Sequence, residues 1–311
     1  MVPAAVPPFE SFSARLRFPT ERSRWDLVDD CRRVFTARGV AKEDSESEGK
    51  TFWLPPGCPP TCGLEQLVAE ISEWHESRLG LERSGSEWWT LWLDGEEDDV
   101  GWHWDADYEA RERGELKHPS LGTVTYLDVG GSFAPTAVLE DCFEESLLAG
   151  HGAVVESVHI SLPVPGKHVC FDGRLLHAAP AQLREVFGCP ALMTTVAPAA
   201  PRRKSAKKTA RATLLVNIWE GHCPKDPQRL APEVAAKLTP AVVASPFLLG
   251  HAEPSPPREF RVGSGIKAQE LSWHFGEDDL MSVSLPVPFA LGAAVDTLAL
   301  RFADGRCGCV G

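Results

Sequence analysis

Residues 211–219 have the sequence RATLLVNIW, in which every even-numbered residue is apolar. Successive side chains of a β-strand point to opposite faces, so this pattern predicts a strand with one buried apolar face. Arg211, Thr213, Leu215 and Asn217 would share the other face. The chain therefore contains a strand that carries a cation, a hydroxyl and an amide in a row.

Five further segments have the same character, since they are short, rich in β-branched and aromatic residues, and bounded by Gly, Pro or Asp. They are EWWTLWLDG (87–95), GTVTYLDVGG (122–131), PTAVLE (135–140), VESVHISLPV (155–164) and KHVCFDG (167–173). Many short strands at such spacing indicate a sandwich or barrel-like β architecture.

The strand-rich region suggests a division of the chain into three parts. Residues 1–84 are expected to form a helical or irregular segment packed on the core, with helices over 24–40 and 62–80, the second ending at Gly80. Residues 85–225 would be the β core, with an inserted loop at 184–210 that is rich in Pro, Ala and basic residues. Residues 226–311 would add strands or a cap.

Composition limits the class of protein. Hydrophobic residues make up 43% and charged residues 24%, and no apolar run is long enough to span a bilayer, so a soluble protein without a membrane partner is expected. The net charge of −13 argues against nucleic acid as a partner. No secretory signal is readable, and nine scattered cysteines favour reduced thiols, so a cytoplasmic location is expected. The basic run PRRKSAKK (201–208) is expected to be a solvated surface run or, alternatively, a nuclear-localisation signal.

The stretch GWHWDADYE (101–109) places a histidine and an aspartate two residues apart. In an extended strand His103 and Asp105 would point the same way, with Cα atoms roughly 6–7 Å apart, close enough to bind one metal ion. Trp102 and Trp104 would face the opposite side and pack in the core or line a substrate wall.

A third ligand is available in PGKHVCFDGRLLHAAP (165–180), where His177 is expected just after a strand and a turn. Two histidines and one carboxylate on one face of an iron centre are the ligand set of non-haem Fe(II) oxygenases. The competing set of His251, Glu253 and His274 is disfavoured, because its first two members lie among prolines.

Arg211 and Thr213 could bind one carboxylate together. The planar guanidinium group suits bidentate carboxylate pairing, and the neighbouring hydroxyl adds a third hydrogen bond.

The order of His103, Asp105, His177, then Arg211 and Thr213, resembles that of the Fe(II)/2-oxoglutarate-dependent dioxygenases over roughly residues 85–222. The resemblance implies a mainly β (α+β) protein whose core is a double-stranded β-helix, a jelly-roll relative, with flanking N-terminal helices. It also implies Fe(II) as the metal, 2-oxoglutarate and O₂ as co-substrates, ascorbate as a supporting reductant, and release of succinate and CO₂.

The resemblance also assigns residues to the co-substrate. Arg211 and Thr213 would hold the far carboxylate of 2-oxoglutarate, and Asn217 would orient substrate or co-substrate. Tyr126 would donate a hydrogen bond to the same carboxylate or, alternatively, is a half-buried core tyrosine. The family usually places its arginine about ten residues after the distal histidine, whereas here the 184–210 insertion intervenes. Arg184 is the competitor, but no Ser or Thr stands two residues after it.

The family's halogenases replace the ligand carboxylate with a small residue, so Asp105 favours hydroxylation of an unactivated C–H bond. Demethylation, desaturation and epoxidation stay open, as does the choice between a peptidyl side chain and a small metabolite. Two other classes are alternatives: a non-catalytic binding module on the same scaffold, and a cupin-like metalloenzyme without a co-substrate. Neither substrate nor oligomeric state is encoded in a readable motif.

Overall fold

The structure is a computed structural model, and it describes residues 6–35, 49–93, 100–129, 134–148, 153–183, 211–242, 246–247, 253–263, 265–276, 280–288, 296–303 and 307–310. These residues form sixteen strands and five short or medium helices, so the predicted mainly β class is confirmed.

In chain order the elements are β1 (Phe9–Phe12), α1 (Glu21–Arg33), β2 (Phe52–Leu54), α2 (Gly63–Leu79), β3 (Arg83–Leu93), β4 (Val100–His103), α3 (Tyr108–Glu112), β5 (Leu121–Asp128), β6 (Thr136–Phe143), α4 (Glu144–Leu148), β7 (Ala153–Val155), β8 (Ser157–Ser161), β9 (His168–Asp172), β10 (Leu175–Ala179), β11 (Arg211–Glu220), α5 (Pro232–Ala235), β12 (Arg258–Val262), β13 (Ala268–Phe275), β14 (Met281–Pro288), β15 (Thr297–Phe302) and β16 (Cys307–Val310).

The strands form three sheets. The first has the spatial order β1-β9-β5-β11-β3-β2, and the second has the order β12-β15-β8-β6-β10-β4. From β3 to β6, and again from β8 to β11, the chain crosses from one of these sheets to the other at every strand. The third sheet has the order β13-β14-β16-β7.

Apolar clusters define how these layers stack. The first two sheets face each other across a small core, in which Val124, Tyr126 and Phe171 of the first sheet pack with Val138 and Leu175 of the second. Helices α1 and α2 cover the outer face of the first sheet with a large apolar cluster. The third sheet covers the outer face of the second in the same way. Both inner sheets are therefore buried on two faces, which fits the complete burial of strands β5, β8, β9 and β10.

The two predicted helices are present. Helix α1 begins after a capping box between Thr20 and Ser23 and ends at Arg33, earlier than the predicted limit of 40. Helix α2 ends where Gly80 takes a left-handed conformation, with φ of 70°, so the predicted helix stop is confirmed. None of the helices that the structure describes is both long and apolar enough to cross a membrane.

Two short strands lie in the segment expected to be helical or irregular. β1 pairs with β9 and β2 pairs with β3, so residues before 84 extend the first sheet at both of its ends. At the other end of the chain, β12 and β15 extend the second sheet.

Candidate metal centre

His103, Asp105 and His177 come together at one end of the second sheet. β4 and β10 are antiparallel neighbours, and their register places His177 directly opposite His103. His177 comes just after strand β9 and the turn at residues 173–174, as expected, and it lies inside the next strand, β10. One ligand atom from each of the three side chains lies within 4.8 Å of the other two.

The carboxylate of Asp105 lies between the two imidazoles. Its Oδ1 is 3.6 Å from Nε2 of His103, and its Oδ2 is 3.5 Å from Nε2 of His177. The two rings are 4.3 Å apart between centroids. Asp105 and His177 are buried, whereas 32% of the His103 side chain is exposed, so the centre opens to solvent on the His103 side.

The hydrogen bonds of the two histidines show which ring nitrogen of each could bind a metal. Nδ1 of His103 donates to the carbonyl of Gly101 at 2.8 Å, and Nδ1 of His177 donates to the carbonyl of Leu175 at 3.0 Å. Since each Nδ1 carries a proton, the neutral imidazoles direct their Nε2 lone pairs at the carboxylate. Three electron-pair donors that converge in this way fit a divalent cation, and two histidines with one carboxylate suit Fe(II).

The electrostatics of His177 point the same way. Burial lowers its pKa, but the charge and hydrogen bond of Asp105 and the Leu175 carbonyl more than offset that effect, so the pKa is raised. The carboxylate thus favours a positive charge at this position, whether it is a proton or a metal ion.

Packing holds the ligands in place. The ring of Phe171 on the facing sheet lies 4.7 Å from the ring of His177. Trp102 and Trp104 belong to the buried cluster on the outer face of the second sheet, opposite to the metal ligands, as the alternation predicts. They are core residues rather than a substrate wall.

Two contacts to Asp105 come from outside the triad. Nδ2 of Asn217 donates to Oδ2 of Asp105 at 3.1 Å, so this amide contacts a metal ligand. Nδ1 of His118 donates to the backbone carbonyl of Asp105 at 2.9 Å, and its Nε2 lies 3.3 Å from Glu144. His118 is not part of a sequence pattern that could have identified it.

A second polar group lies between the two inner sheets. The guanidinium of Arg211 is buried, and it donates to the Ala134 carbonyl at 2.7 Å and to the hydroxyl of Thr213 at 3.2 Å. It lies 5.2 Å from the ring of Tyr126, which is the cross-strand partner of Thr213. The Tyr126 hydroxyl is 2.6 Å from that of Thr136, a residue that sequence reasoning missed.

Strand register relates this polar group to the metal ligands. Val138 of β6 is directly opposite His177, and Thr136 is two residues along the same strand. Two residues of a strand span roughly 7 Å, so Thr136 is displaced by about that much along the strand direction from the residue opposite His177.

The remaining expectations fall mainly outside the described residues. These include the insertion at 184–210 with Arg184 and PRRKSAKK, and also His251 of the competing metal set. Within the described part of the chain, His103, Asp105 and His177 form the one group of three or more side chains that could hold a metal ion.

Sequence comparisons with known proteins do not assign the chain to a family. No protein-family model matches the chain, and no curated protein is similar to it. Among solved structures, a Pseudomonas putida prolyl-4-hydroxylase is 17% identical, with 68% of this chain and 88% of that chain covered, at a TM-score of 0.36. The non-heme alpha ketoglutarate dependent carbocyclase SnoK from nogalamycin biosynthesis is 13% identical, with 79% and 90% covered, at 0.37. The epimerase SnoN from the same biosynthesis is 9% identical, with 72% and 89% covered, at 0.36. At TM-scores below 0.5 these likenesses support neither the fold nor a function.

Proposed function

We propose that the protein is an Fe(II)- and 2-oxoglutarate-dependent oxygenase that hydroxylates an unactivated C–H bond and releases succinate and CO₂. The observation that carries the proposal is the convergence of His103, Asp105 and His177, whose ligand atoms lie within 4.8 Å of one another. Both histidines present Nε2, because each Nδ1 is occupied by a backbone carbonyl.

We further propose that the core is a double-stranded β-helix. The order β9-β5-β11-β3 in one sheet and β8-β6-β10-β4 in the other supports this, since consecutive strands of the chain alternate between facing sheets as in a jelly roll. In this arrangement β4 carries His103, Asp105 follows two residues later, β10 carries His177, and β11 carries Arg211 on the facing sheet. The boundaries proposed for the core are 85 and 225, with the flanking segments packed against it.

Arg211 and Thr213 would hold the far carboxylate of 2-oxoglutarate. The guanidinium already lies between the sheets with a hydroxyl and a carbonyl as partners, and Tyr126 and Thr136 add two more hydroxyls beside it. The displacement of roughly 7 Å along β6 between Thr136 and the residue opposite His177 is compatible with a five-carbon diacid that has one end at this polar group and the other at the metal. The same burial excludes water from the carboxylate and strengthens its pairing with the guanidinium.

The chain's own residues would bind and orient, whereas bound Fe(II) would supply the activation of O₂ and the oxidation of the substrate. Asp105 contributes the negative charge that holds the metal, and the retention of this carboxylate favours hydroxylation. The exposed side of His103 is the direction from which substrate would approach. A peptidyl side chain and a small metabolite are both compatible with such an opening, and a cytoplasmic location suits these substrates and Fe(II).

The test is succinate formation by purified protein incubated with 2-oxoglutarate, O₂, ascorbate and a cell extract as the substrate source. Succinate that requires both Fe(II) and 2-oxoglutarate, with a gain of one oxygen in a component of the extract, is expected. His103→Ala should abolish it, because the metal loses a ligand. The matched control is His274→Ala, which removes an exposed histidine of the third sheet and should leave activity intact.

Two other outcomes identify the alternative classes. Binding of Fe(II) and 2-oxoglutarate without any decarboxylation would indicate a binding module. Metal-dependent activity that survives Arg211→Ala would indicate a cupin-like enzyme without a co-substrate.

A further inference from the structure

We propose that Asn217 is a positioning residue that fixes the orientation of the Asp105 carboxylate at the metal centre. This inference rests on the proposed metal centre. Asn217 is the only asparagine among 311 residues, and 2% of it is exposed. Its Nδ2 donates to Oδ2 of Asp105 at 3.1 Å.

The bond acts on one oxygen of the carboxylate. An amide nitrogen donates and does not accept, so it occupies one lone pair of Oδ2 and restrains rotation of the carboxylate. Oδ1 lies 3.6 Å from Nε2 of His103, and Oδ2 lies 3.5 Å from Nε2 of His177. The carboxylate is thereby held in one orientation between the two histidines that would bind the metal with it.

The bond also crosses between the two sheets. Asp105 follows β4 of the second sheet, whereas Asn217 lies on β11 of the first, on the strand that carries Arg211 and Thr213. The orientation of the ligand carboxylate is thereby set by the same strand that would hold the co-substrate. The backbone of Asp105 is held separately, by His118 at 2.9 Å, so the amide controls the side chain in particular.

A neutral donor suits this task. A lysine or arginine at the position would neutralise the carboxylate and weaken its attraction for the metal, whereas an aspartate would lack the proton to donate at neutral pH. Partners that orient metal ligands typically contribute about 10- to 100-fold to metal affinity, and we expect a loss in that range when the amide is removed.

The experiment is an anaerobic titration of metal-stripped protein with Co(II), followed by its visible absorption, and a parallel titration with Fe(II). Asn217→Leu removes the donor at similar volume, and Asn217→Ala serves if the leucine variant does not fold. The matched control is Thr90→Val, which removes a buried polar group from the outer face of the adjacent strand, where Thr90 donates to the Cys31 carbonyl.

We expect the Asn217 variants to bind Co(II) about 10- to 100-fold more weakly, with a changed visible spectrum at saturation, and Thr90→Val to match the wild-type protein in both. A residue with only a structural role would leave the spectrum of the folded, loaded protein unchanged. Wild-type binding together with unchanged affinity and spectrum in the variants would overturn this inference alone. A wild-type protein that binds neither metal would overturn the proposed function along with it.

Discussion

Acidification below about pH 6.5 should destabilise the protein through a buried pair of histidines that the proposed chemistry does not use. A guanidinium nitrogen of Arg78 donates to Nδ1 of His75 at 3.3 Å. Because that Nδ1 must accept, Nε2 of His75 carries the proton and donates to Nε2 of His168 at 2.9 Å. Nδ1 of His168 then donates to the Thr125 hydroxyl at 2.8 Å. Both imidazoles are neutral and fully bonded, so an added proton has no acceptor.

The size of the effect follows from the pKa values. Burial, and then the charges of Arg15 and Arg78, lower the pKa of His168 to about 3 from its ordinary 6.5. Burial, His168 and the same two arginines hold the pKa of His75 well below its usual range. A depressed pKa in the folded state contributes stability that is complete above the unfolded value and is lost as the pH falls from there toward the folded value. Each pH unit below 6.5 therefore removes ~1.4 kcal/mol through His168, or ~2 kcal/mol by pH 5.

Urea unfolding at pH 8 and pH 5 measures this loss. The double variant His75→Gln, His168→Gln keeps hydrogen-bonding side chains but cannot titrate, so its free energy of unfolding should fall by at least ~2 kcal/mol less than that of the wild type, because the loss through His75 adds to that through His168. Glu144 and His177, whose pKa values are raised, act in the opposite direction but are present in both proteins. The exposed His274→Gln is the control. Equal pH dependence in wild type and double variant would refute the reasoning.

Three further variants test the co-substrate site and the packing around it. Arg211→Met should weaken 2-oxoglutarate binding by a factor on the order of 100 or more, since two charge-assisted hydrogen bonds contribute ~1.5–3 kcal/mol each. Calorimetry on the Fe(II)-loaded protein measures this affinity. The control is the surface variant Arg174→Met, which removes an ion pair to Asp172. Tyr126→Phe removes the hydroxyl beside Thr136 and should lower the free energy of unfolding by ~1 kcal/mol while raising the KM for 2-oxoglutarate; an unchanged KM would remove Tyr126 from the site. Trp102→Ala should destabilise the protein by ~3–5 kcal/mol, because Trp102 is buried against Trp273, and a smaller loss on denaturant unfolding would show that this cluster repacks.

The sequence predicts features that are set by neighbouring residues better than features that are set by residues far apart in the chain. The alternation in RATLLVNIW predicted both the strand and the shared face of Arg211, Thr213 and Asn217, because period and face are local properties. By contrast, LLHAA (175–179) is a short run without alternation, so β10 was not recognised as a strand. β1 and β2 have four and three residues, and their strand geometry comes from pairing with distant neighbours.

The same reasoning explains what was missed in the site. The spacing of His103 and Asp105 predicted a shared target, and the structure brings His177 to it through a register that only the folded sheet defines. The role first assigned to Asn217, orientation of substrate or co-substrate, did not anticipate its bond to Asp105, since the two residues are 112 positions apart. The partner of Tyr126, Thr136, is only ten residues away, but the two residues lie on strands of different sheets, and only the stacking of those sheets brings their hydroxyls together.

Because β4 is at the edge of its sheet, metal binding should stabilise the attachment of this strand. This strand has four residues and stands at the end of the second sheet as the structure describes it, with β10 as its neighbour. A metal ion bound by both His103 and His177 would link this edge strand to its neighbour through coordination bonds that are much stronger than its few backbone hydrogen bonds. Loading with iron should therefore slow hydrogen–deuterium exchange first at residues 100–103, and withdrawal of the ion should let this corner of the molecule fray while the remainder stays folded.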